Sequence, residues 1–366
     1  MNAINKNKFR QDIRNVAIIA HVDHGKITFR EDHSMIIDAH THMVHKDFFP
    51  AMAKTGGDWG KKITDLALER SKKTPNLVDV KLRVEQLDRN NIDQQVVTPR
   101  RTFDSNLLPG DVPAQLEYAK VLNESMGRLG EDSGGRLIAT GNTPLAEYEK
   151  YGRKETERAV NSLGIKAIVI SSNFRGKPID LPEYEPFWAH MAEIGLPVYI
   201  HPDNPASTDG RTYEGDYDLA HCFGWPFDSE LMLARLVFSG LMEKYPTLKI
   251  VSHHLGGGIP FFWGRVEETY EDQKRKLGRE LPKPLYDYFK LFYYDTAIGG
   301  NVAAIRCACE VFGTDQVIFA TDAPFGPKAG EHRMAEYPKA IEALGLPEAE
   351  KQNIFANNIS RVLNLA

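Results

Sequence analysis

The sequence predicts an α/β fold, a closed (β/α)₈ TIM barrel, because two kinds of segment alternate after Met35. Short apolar runs rich in Val, Ile, Phe and Tyr are typical of parallel strands covered by helices on both faces. The predicted strands are Ile36–Ala39, Gln94–Thr98, Leu137–Gly141, Ala167–Ser171, Val198–His201, Lys249–Ser252, Phe292–Asp295 and Val317–Thr321. Eight strand-then-helix units in one chain favour closure of the sheet.

The structural alternative is an open, doubly wound sheet. Such a sheet usually carries a Gly-rich phosphate-binding turn directly after its first strand. In this chain the first strand instead ends in His40-Thr41-His42. The barrel is therefore the favoured interpretation.

The segments between the strands have apolar residues at helical spacing. The predicted helices include Gln115–Leu129, Pro182–Gly195, Ser229–Tyr245 and Val302–Phe312. We expect Met43–Pro75 and Asp203–Asp228 to be loops that set specificity, since binding residues concentrate on loops. The second is long enough for a lid or a subunit contact.

The composition limits the classes of function. The 366 residues carry 45 basic and 50 acidic side chains, a formal net charge of −5. This balance, without a basic stripe, argues against a nucleic-acid partner. The sequence has no apolar run near the roughly 18 residues of a membrane span, and no signal-peptide core. Three cysteines without a CxxC pair indicate a reducing compartment, so we expect a cytoplasmic protein with no membrane partner.

The first 34 residues are a separate feature. Residues 14–28 resemble the phosphate-binding loop of translational GTPases, in which Lys26 would contact a nucleotide. However, Ile27 occupies the position of the magnesium-binding hydroxyl, and no Asn-Lys-x-Asp motif follows. We expect residues 1–34 to be an appended, non-functional leader or fusion scar, and residues 35–366 to form the barrel. A nucleotide-binding switch is the alternative.

Histidine and aspartate residues collect at the ends of the predicted strands, where a barrel places its active site. His40 and His42 are two residues apart on one strand, so their side chains point the same way. His201 and Asp322 end two further strands. Imidazole and carboxylate suit zinc, and also manganese or iron. The four residues predict one divalent metal ion, zinc as the first expectation and manganese or iron as alternatives.

Two adjacent histidines follow the sixth strand, and only one of them can face the barrel interior. We expect His254, which precedes a Gly-rich turn, to be functional and His253 to be packed or supporting. Asp295 ends the seventh strand. It either orients a ligand or bonds to backbone as a structural carboxylate, and the sequence leaves both interpretations open.

A set of motifs spread along the predicted barrel carries a family resemblance. The motifs are Ile37–His42, Arg83–Asp88 with Ile92-Asp93, His201-Pro202, Ala234–Gly240 with Tyr245–Lys249, Lys249–Phe261 and Thr321–Pro324. In combination they are specific. They resemble the amidohydrolase-related (amidohydrolase 2) family, in the branch that includes aminocarboxymuconate-semialdehyde, γ-resorcylate and 5-carboxyvanillate decarboxylases.

The resemblance implies roles for individual residues. It implies a mononuclear metal site whose ligands are His40, His42, His201 and Asp322, with His254 and Asp322 as catalytic residues. Related decarboxylases hold the substrate carboxylate with arginine, a planar bidentate donor. Arg83 matches the family pattern, and Arg100 and Arg101 are candidates by position. The aromatic candidates for a planar substrate are Trp225 and Phe325, with Trp59 and Phe223, although core packing explains each equally well.

The resemblance further implies a metal-dependent, non-oxidative decarboxylase of a small aromatic or unsaturated carboxylic acid, with Asp322 or His254 delivering the proton. The same ligands also serve hydrolysis of a lactone, ester or amide, or hydration of a double bond, through a metal-bound water. An inactive metal-binding scaffold is disfavoured because no expected ligand is missing. Since family members are commonly dimers or tetramers, we expect a homodimer or homotetramer.

Overall fold

The computed structural model describes residues 34–99, 110–203, 217, 219–278 and 280–365. The main strands are β1 Ile37–His42, β2 Gln94–Thr98, β3 Leu137–Gly141, β4 Ala167–Ser171, β7 Val198–His201, β8 Ile250–Ser252, β9 Phe292–Asp295 and β10 Val317–Ile318, with a small hairpin of β5 Asn173–Phe174 and β6 Lys177–Pro178. The eight main strands are parallel and form one sheet in the order β1-β2-β3-β4-β7-β8-β9-β10. All eight sheet strands overlap the predicted ones.

Backbone hydrogen bonds join the two ends of the sheet. The amide of Ala39 donates to the carbonyl of Phe319 at 2.8 Å, and the amide of Asp322 donates to the carbonyl of His40 at 2.9 Å. The amide of His42 donates to the carbonyl of Ala323 at 2.7 Å. The predicted (β/α)₈ barrel is confirmed, and its closure places the segment after β10 beside the end of β1.

Helices surround the sheet. They are α1 Phe48–Thr55, α2 Gly57–Lys73, α3 Val80–Arg89, α4 Val112–Asp132, α5 Tyr148–Leu163, α6 Glu185–Ile194, α7 Trp225–Phe238, α8 Leu241–Lys244, α9 Ile259–Leu277, α10 Leu285–Phe289, α11 Val302–Phe312, α12 Glu331–Glu342, α13 Glu348–Gln352 and α14 Asn358–Leu363. The predicted helix 302–312 has the observed bounds. The predicted helix 229–245 is interrupted at Gly240, whose φ of 83° is left-handed and ends the helical run.

The prediction that Met43–Pro75 is a loop was wrong, because this segment forms α1 and α2. Phe48, Phe49 and Met52 are buried on one face of α1. Gly57 has a φ of 55°, which separates the two helices. In the other predicted loop, residues 204–216 and 218 lie outside the described residues, and its last part already belongs to α7.

The barrel is held by apolar side chains packed between strands and helices. Val96, Ile168 and Val198 of the sheet are fully buried. On the outer side of β9, the ring of Tyr294 stacks on Phe312 of α11, with centroids 4.6 Å apart. Each large side chain buried in this way contributes roughly 1.5–3 kcal/mol. This packing fixes the strand ends on which the polar residues stand.

Two further sequence expectations concern the chain as a whole. Among the described residues, no helix has both the length and the apolarity that crossing a bilayer requires. Cys222, Cys307 and Cys309 are free thiols. Residues 1–33 of the expected leader 1–34 lie outside the described residues, and the leader therefore stays a prediction.

Candidate metal centre and active site

Four donor side chains converge at the carboxyl ends of β1, β7 and β10. The Nε2 atoms of His40 and His42 are 3.1 Å apart. One donor nitrogen from each of His40, His42 and His201 lies within 4.8 Å of the others. Asp322 Oδ1 is 3.2 Å from His42 Nε2 and 3.8 Å from His40 Nε2. Ligands around a tetrahedral zinc ion, with bonds near 2.1 Å, stand about 3.4 Å apart. The donor set and its spacing fit one divalent ion.

Each of the three histidines is fixed by its other ring nitrogen. His40 Nδ1 is 2.9 Å from Asp295 Oδ2, and His42 Nδ1 is 3.0 Å from Thr98 Oγ1. His201 Nδ1 donates to the carbonyl of Pro202 at 2.7 Å. Contacts of this kind set the tautomer and orient metal-binding imidazoles. Burial and the neighbouring histidines hold the pKa of His201 well below its usual value, which favours the neutral form that binds metal.

Asp322 lies in a turn after β10, with a left-handed φ of 59° that is uncommon for aspartate. Its two carboxylate oxygens meet different partners. Oδ1 faces His42, and Oδ2 accepts a hydrogen bond from Arg333 Nη1 at 2.8 Å. Burial by itself would raise the pKa of Asp322, but the hydrogen bond with His42 and the charges of His40 and His42 lower it below its usual range. The carboxylate is therefore ionised, as a metal ligand must be.

Asp295, at the end of β9, is fully buried and is bonded on both oxygens. Oδ2 contacts His40 Nδ1 at 2.9 Å and His253 Nδ1 at 2.6 Å. Oδ1 accepts from the backbone amides of His254 at 2.9 Å and Ala297 at 3.0 Å. Burial favours a higher pKa, but the charge of His40 and the bond with His253 hold the pKa of Asp295 well below its usual value. Asp295 thus contacts His40, a residue of the proposed ligand set, and also accepts hydrogen bonds from backbone amides. The contacts expected from both interpretations of this residue are present.

The adjacent histidines differ in environment. His253 is fully buried and stacks on His40 with ring centroids 3.5 Å apart, and burial lowers its pKa to about 3. His254 is half-buried, and its Nδ1 donates to the carbonyl of Ala297 at 3.0 Å. Its Nε2 is buried without a hydrogen-bond partner among the described residues. The His254 ring lies 5.4 Å from the His40 ring and 6.0 Å from the His201 ring. This orphan nitrogen can hold or release a proton beside the donor cluster.

The turn after His254 requires glycine at position 257 for a steric reason. Gly257 has a φ of 68°, and a Cβ at this position would lie 2.2 Å from the carbonyl oxygen of Pro226. Only glycine fits so close to the first turn of α7. The turn therefore packs against α7, and α9 begins directly after it at Ile259.

Two of the four aromatic candidates lie beside the donor histidines. The Trp225 ring is 5.5 Å from the His201 ring, and the Phe325 ring is 5.2 Å from the His42 ring. Trp59 packs against Tyr118 instead, with centroids 6.4 Å apart. Phe223 is 67% exposed. Trp225 and Phe325 are thus the aromatic rings nearest to the histidines in this set.

Arg83 lies in a position that differs from the predicted substrate contact. Its side chain is 0% exposed. The guanidinium donates to the carbonyls of His42 at 2.9 Å and Asn76 at 2.8 Å, and to Gln95 Oε1 at 3.1 Å. Gln95 in turn donates to Asp38 Oδ2 at 2.9 Å. Burial lowers the pKa of Arg83 to about 10, although the charge of Asp38 acts in the opposite direction. Arg83 thus supports the strand that carries His42, and its direct contact with substrate stays a prediction. Arg100 and Arg101 lie outside the described residues.

Sequence reasoning missed Arg333, which contacts Asp322. This arginine lies in the first turn of α12, eleven positions after its partner. Its role depends on how α12 packs against the turn after β10, and no short-range spacing in the sequence indicates that packing. Proximity in sequence to a strand-end carboxylate was the only available signal.

Comparisons with known proteins agree with this geometry. The sequence profile of the Amidohydrolase family matches residues 37–365. A 2-amino-3-carboxymuconate-6-semialdehyde decarboxylase from Dictyostelium discoideum is 26% identical over 344 residues, or 91% of this chain and 92% of that protein. The structure of 5-carboxyvanillate decarboxylase from Sphingomonas paucimobilis superposes with a TM-score of 0.78 at 22% identity, covering 91% of this chain and 100% of that one. Dihydroxybenzoic acid decarboxylase from Polaromonas sp. JS666, solved with bound manganese and 2-nitroresorcinol, gives a TM-score of 0.74 at 22% identity, covering 91% of this chain and 98% of that one.

The relatives include a second reaction class. A 2-keto-4-carboxy-3-hexenedioate hydratase from Sphingobium sp. (strain NBRC 103272 / SYK-6) is 24% identical over 358 residues, or 90% of this chain and 96% of that protein. Family membership is thus compatible with more than one chemistry. The profile nonetheless spans nearly the whole described barrel, from β1 to the end of α14. The chain belongs to the Amidohydrolase family, as its motifs predicted.

Proposed function

We propose that this protein is a metal-dependent, non-oxidative decarboxylase, a carboxy-lyase, that acts on a small aromatic or unsaturated carboxylic acid. The observation that carries the proposal is the convergence of three histidines and Asp322 next to the unpartnered Nε2 of His254. The decarboxylases among the relatives support this chemistry over the others that the family contains.

The proposed ligands of the metal ion are His40, His42, His201 and Asp322. A divalent ion held there would bind oxygen atoms of the substrate and stabilise the negative charge that develops as the carbon–carboxylate bond breaks. Zinc is our first expectation from the donor set, with manganese and iron as alternatives. The bound manganese of the Polaromonas decarboxylase supports manganese in particular.

His254 is the proposed proton donor. In a decarboxylation the carbon loses carbon dioxide, keeps the electron pair of the broken bond and takes up one proton. The Nδ1 of His254 is held by the Ala297 carbonyl, so its Nε2 is the nitrogen free for proton transfer. Asp322, the other candidate, already has Oδ1 beside His42 and Oδ2 on Arg333. This engagement favours His254 over Asp322 for the transfer.

Trp225 and Phe325 are the proposed substrate-contacting rings. Each lies beside a donor histidine, His201 and His42 respectively. Aromatic rings in such positions favour a planar ligand through stacked or edge-to-face contacts. The expected ligand class is therefore a flat, conjugated carboxylic acid rather than a flexible aliphatic one.

Hydration or hydrolysis on the same site is the second candidate function. The specific observation in its favour is the hydratase relative, which aligns over nearly its full length. The two chemistries differ in their products. Decarboxylation releases carbon dioxide and places a solvent hydrogen on carbon, whereas hydration or hydrolysis places a solvent oxygen in the product.

A product analysis tests the proposal. Metal-loaded protein is incubated with a panel of hydroxybenzoic and unsaturated carboxylic acids, once in D₂O and once in H₂¹⁸O. In D₂O we expect carbon dioxide and, in equal amount, a product with one deuterium where the carboxylate stood. In H₂¹⁸O we expect no ¹⁸O in that product. Product containing ¹⁸O without carbon dioxide would replace decarboxylation by hydration or hydrolysis. His254→Gln, with metal retained, is the control for background decarboxylation.

A further inference from the structure

We propose that Arg333 is a positioning residue for the metal centre, which holds Asp322 by Oδ2 so that Oδ1 is the oxygen presented to His40 and His42. This inference rests on the proposed metal site. Arg333 would act through Asp322 and not by touching substrate.

The contacts of Arg333 are concentrated on Asp322 and its neighbour. Nη1 donates to Asp322 Oδ2 at 2.8 Å, and lies 3.3 Å and 3.4 Å from the carbonyl oxygens of Thr321 and Asp322. The Arg333 side chain is 24% exposed and that of Asp322 is 15% exposed. Such a partly shielded, charge-assisted hydrogen bond is stronger than a pair in open solvent. The Arg333 guanidinium therefore contacts both the backbone of the turn after β10 and one carboxylate oxygen of Asp322.

Two glycines make room for this arrangement. Gly330 precedes α12, and a Cβ there would lie 2.6 Å from Cα of Pro324, so only glycine lets the helix start against this turn. Gly326 has a φ of 90°, and a Cβ there would lie 2.5 Å from Nε of Arg333. The path of the Arg333 side chain thus runs through space that a larger residue at position 326 would fill.

All four proposed metal ligands share one feature, which is a contact that holds the donor atom pointing away from the metal site. Each histidine has a support on its second nitrogen: Asp295 for His40, Thr98 for His42 and the Pro202 carbonyl for His201. Arg333 gives Asp322 the equivalent support on its second oxygen. A carboxylate with one oxygen bound in this way is directed to bind a metal through the other. Outer contacts of this type change metal affinity on the order of 10–100-fold.

The test compares metal binding by four proteins. Metal-free wild type, Arg333→Gln, Arg333→Lys and Arg89→Ala are titrated with Mn²⁺ by calorimetry, and their thermal unfolding is recorded. Arg89 is the matched control because it pairs with Glu331 in the same turn of α12 and does not donate to Asp322. We expect Arg333→Gln to weaken the Kd for Mn²⁺ by about tenfold or more. Arg333→Lys should recover part of that loss, and Arg89→Ala should bind like wild type.

Three outcomes would overturn the inference. In the first, wild type binds Mn²⁺ and Arg333→Gln binds it within about twofold, below the usual effect of an outer contact. In the second, Arg89→Ala weakens binding as much as Arg333→Gln, which would assign the effect to the placement of α12. In the third, wild type binds neither Mn²⁺ nor, in a parallel titration, Zn²⁺, and the proposed metal site fails together with its support. If Arg333→Gln does not fold, Arg333→Met decides, because it keeps the aliphatic stem without a donor for Asp322 and should weaken Mn²⁺ binding comparably.

Discussion

The ends of β9 and β10 carry the same residue type in adjacent positions of the barrel, yet Asp295 and Asp322 have different environments. Asp295 is fully buried and accepts from two backbone amides while contacting two imidazoles. Asp322 keeps one oxygen beside His42 and gives the other to Arg333. The donors around a strand-end carboxylate, rather than its place on the strand, therefore determine its role.

Backbone conformation contributes to the difference. Asp295 is the last residue of a regular strand, and its carboxylate turns back onto the chain that follows β8 and β9. Asp322 follows the short strand β10 and has a left-handed φ, which turns its side chain out of the regular strand alternation. We infer that Asp322 binds the metal and that Asp295 orients His40. This division of roles predicts different effects for substitutions at the two carboxylates and at the residues around them.

Asp322→Ala should have the largest effect on activity. It removes the only anionic member of the proposed ligand set, so metal binding is lost and with it the charge stabilisation that the ion would supply. We expect kcat/KM to fall by roughly 10³-fold or more, since such stabilisation amounts to several kcal/mol. Steady-state carbon dioxide release measures the change. Activity near the wild-type level would assign Asp322 a structural role like that of Asp295.

His254→Gln should lower kcat by about 10²–10⁴-fold, the usual contribution of a general acid or base. Its metal content should stay at the wild-type level, because His254 is not among the proposed ligands. Single-turnover kinetics and elemental analysis on the same sample separate the two effects. Loss of metal together with activity would make His254 a ligand and break the account of the site.

Asp295→Asn should weaken metal binding by about 10–100-fold, because His40 loses the carboxylate that orients it. The variant should also lower the free energy of unfolding by roughly 1–3 kcal/mol, since an amide nitrogen would face buried donors. Mn²⁺ titration and urea unfolding measure the two quantities. Asp180→Asn, whose carboxylate pairs with Arg235, is the control for loss of a charge. Metal affinity equal to that of the control would remove the orienting role.

Trp225→Ala and Phe325→Ala should have the smallest effects. Each removes one aromatic contact, worth on the order of 1 kcal/mol, so KM should rise about fivefold with little change in kcat. Phe223→Ala is the matched control because that ring is largely exposed. An unchanged KM in both variants, or an equal rise in the control, would show that the substrate does not contact these rings.

Much of the fold was predictable from the sequence. Strands buried on both faces are continuous apolar runs, and β2, β3, β4, β7 and β9 have the predicted bounds. The clustering of His40, His42 and His201 followed from the rule that strand ends meet at one face of a barrel. These features depend on local pattern and on topology, both of which a sequence records.

Other features depend on packing between segments that are distant in the chain. Arg83 was expected at the substrate, but its acceptors come from the 3₁₀ turn at Asn76 and from β1 and β2, which only the fold brings together. Arg333 was missed because its contact with Asp322 requires α12 to start against Pro324. The two helices within 43–75 were missed because the Gly, Asp and aromatic residues of this segment were interpreted as those of a specificity loop.

The metal content of protein purified without added metal tests the proposed ligand set without relying on a substrate. Wild type is compared by elemental analysis with His201→Ala, Asp322→Ala and His332→Ala, the last being an exposed histidine that serves as control. We expect about one equivalent of zinc, manganese or iron per chain in wild type and in the control, and loss of the ion in the other two variants. Absence of metal from wild type even after reconstitution, or full retention in His201→Ala and Asp322→Ala, would contradict that ligand set.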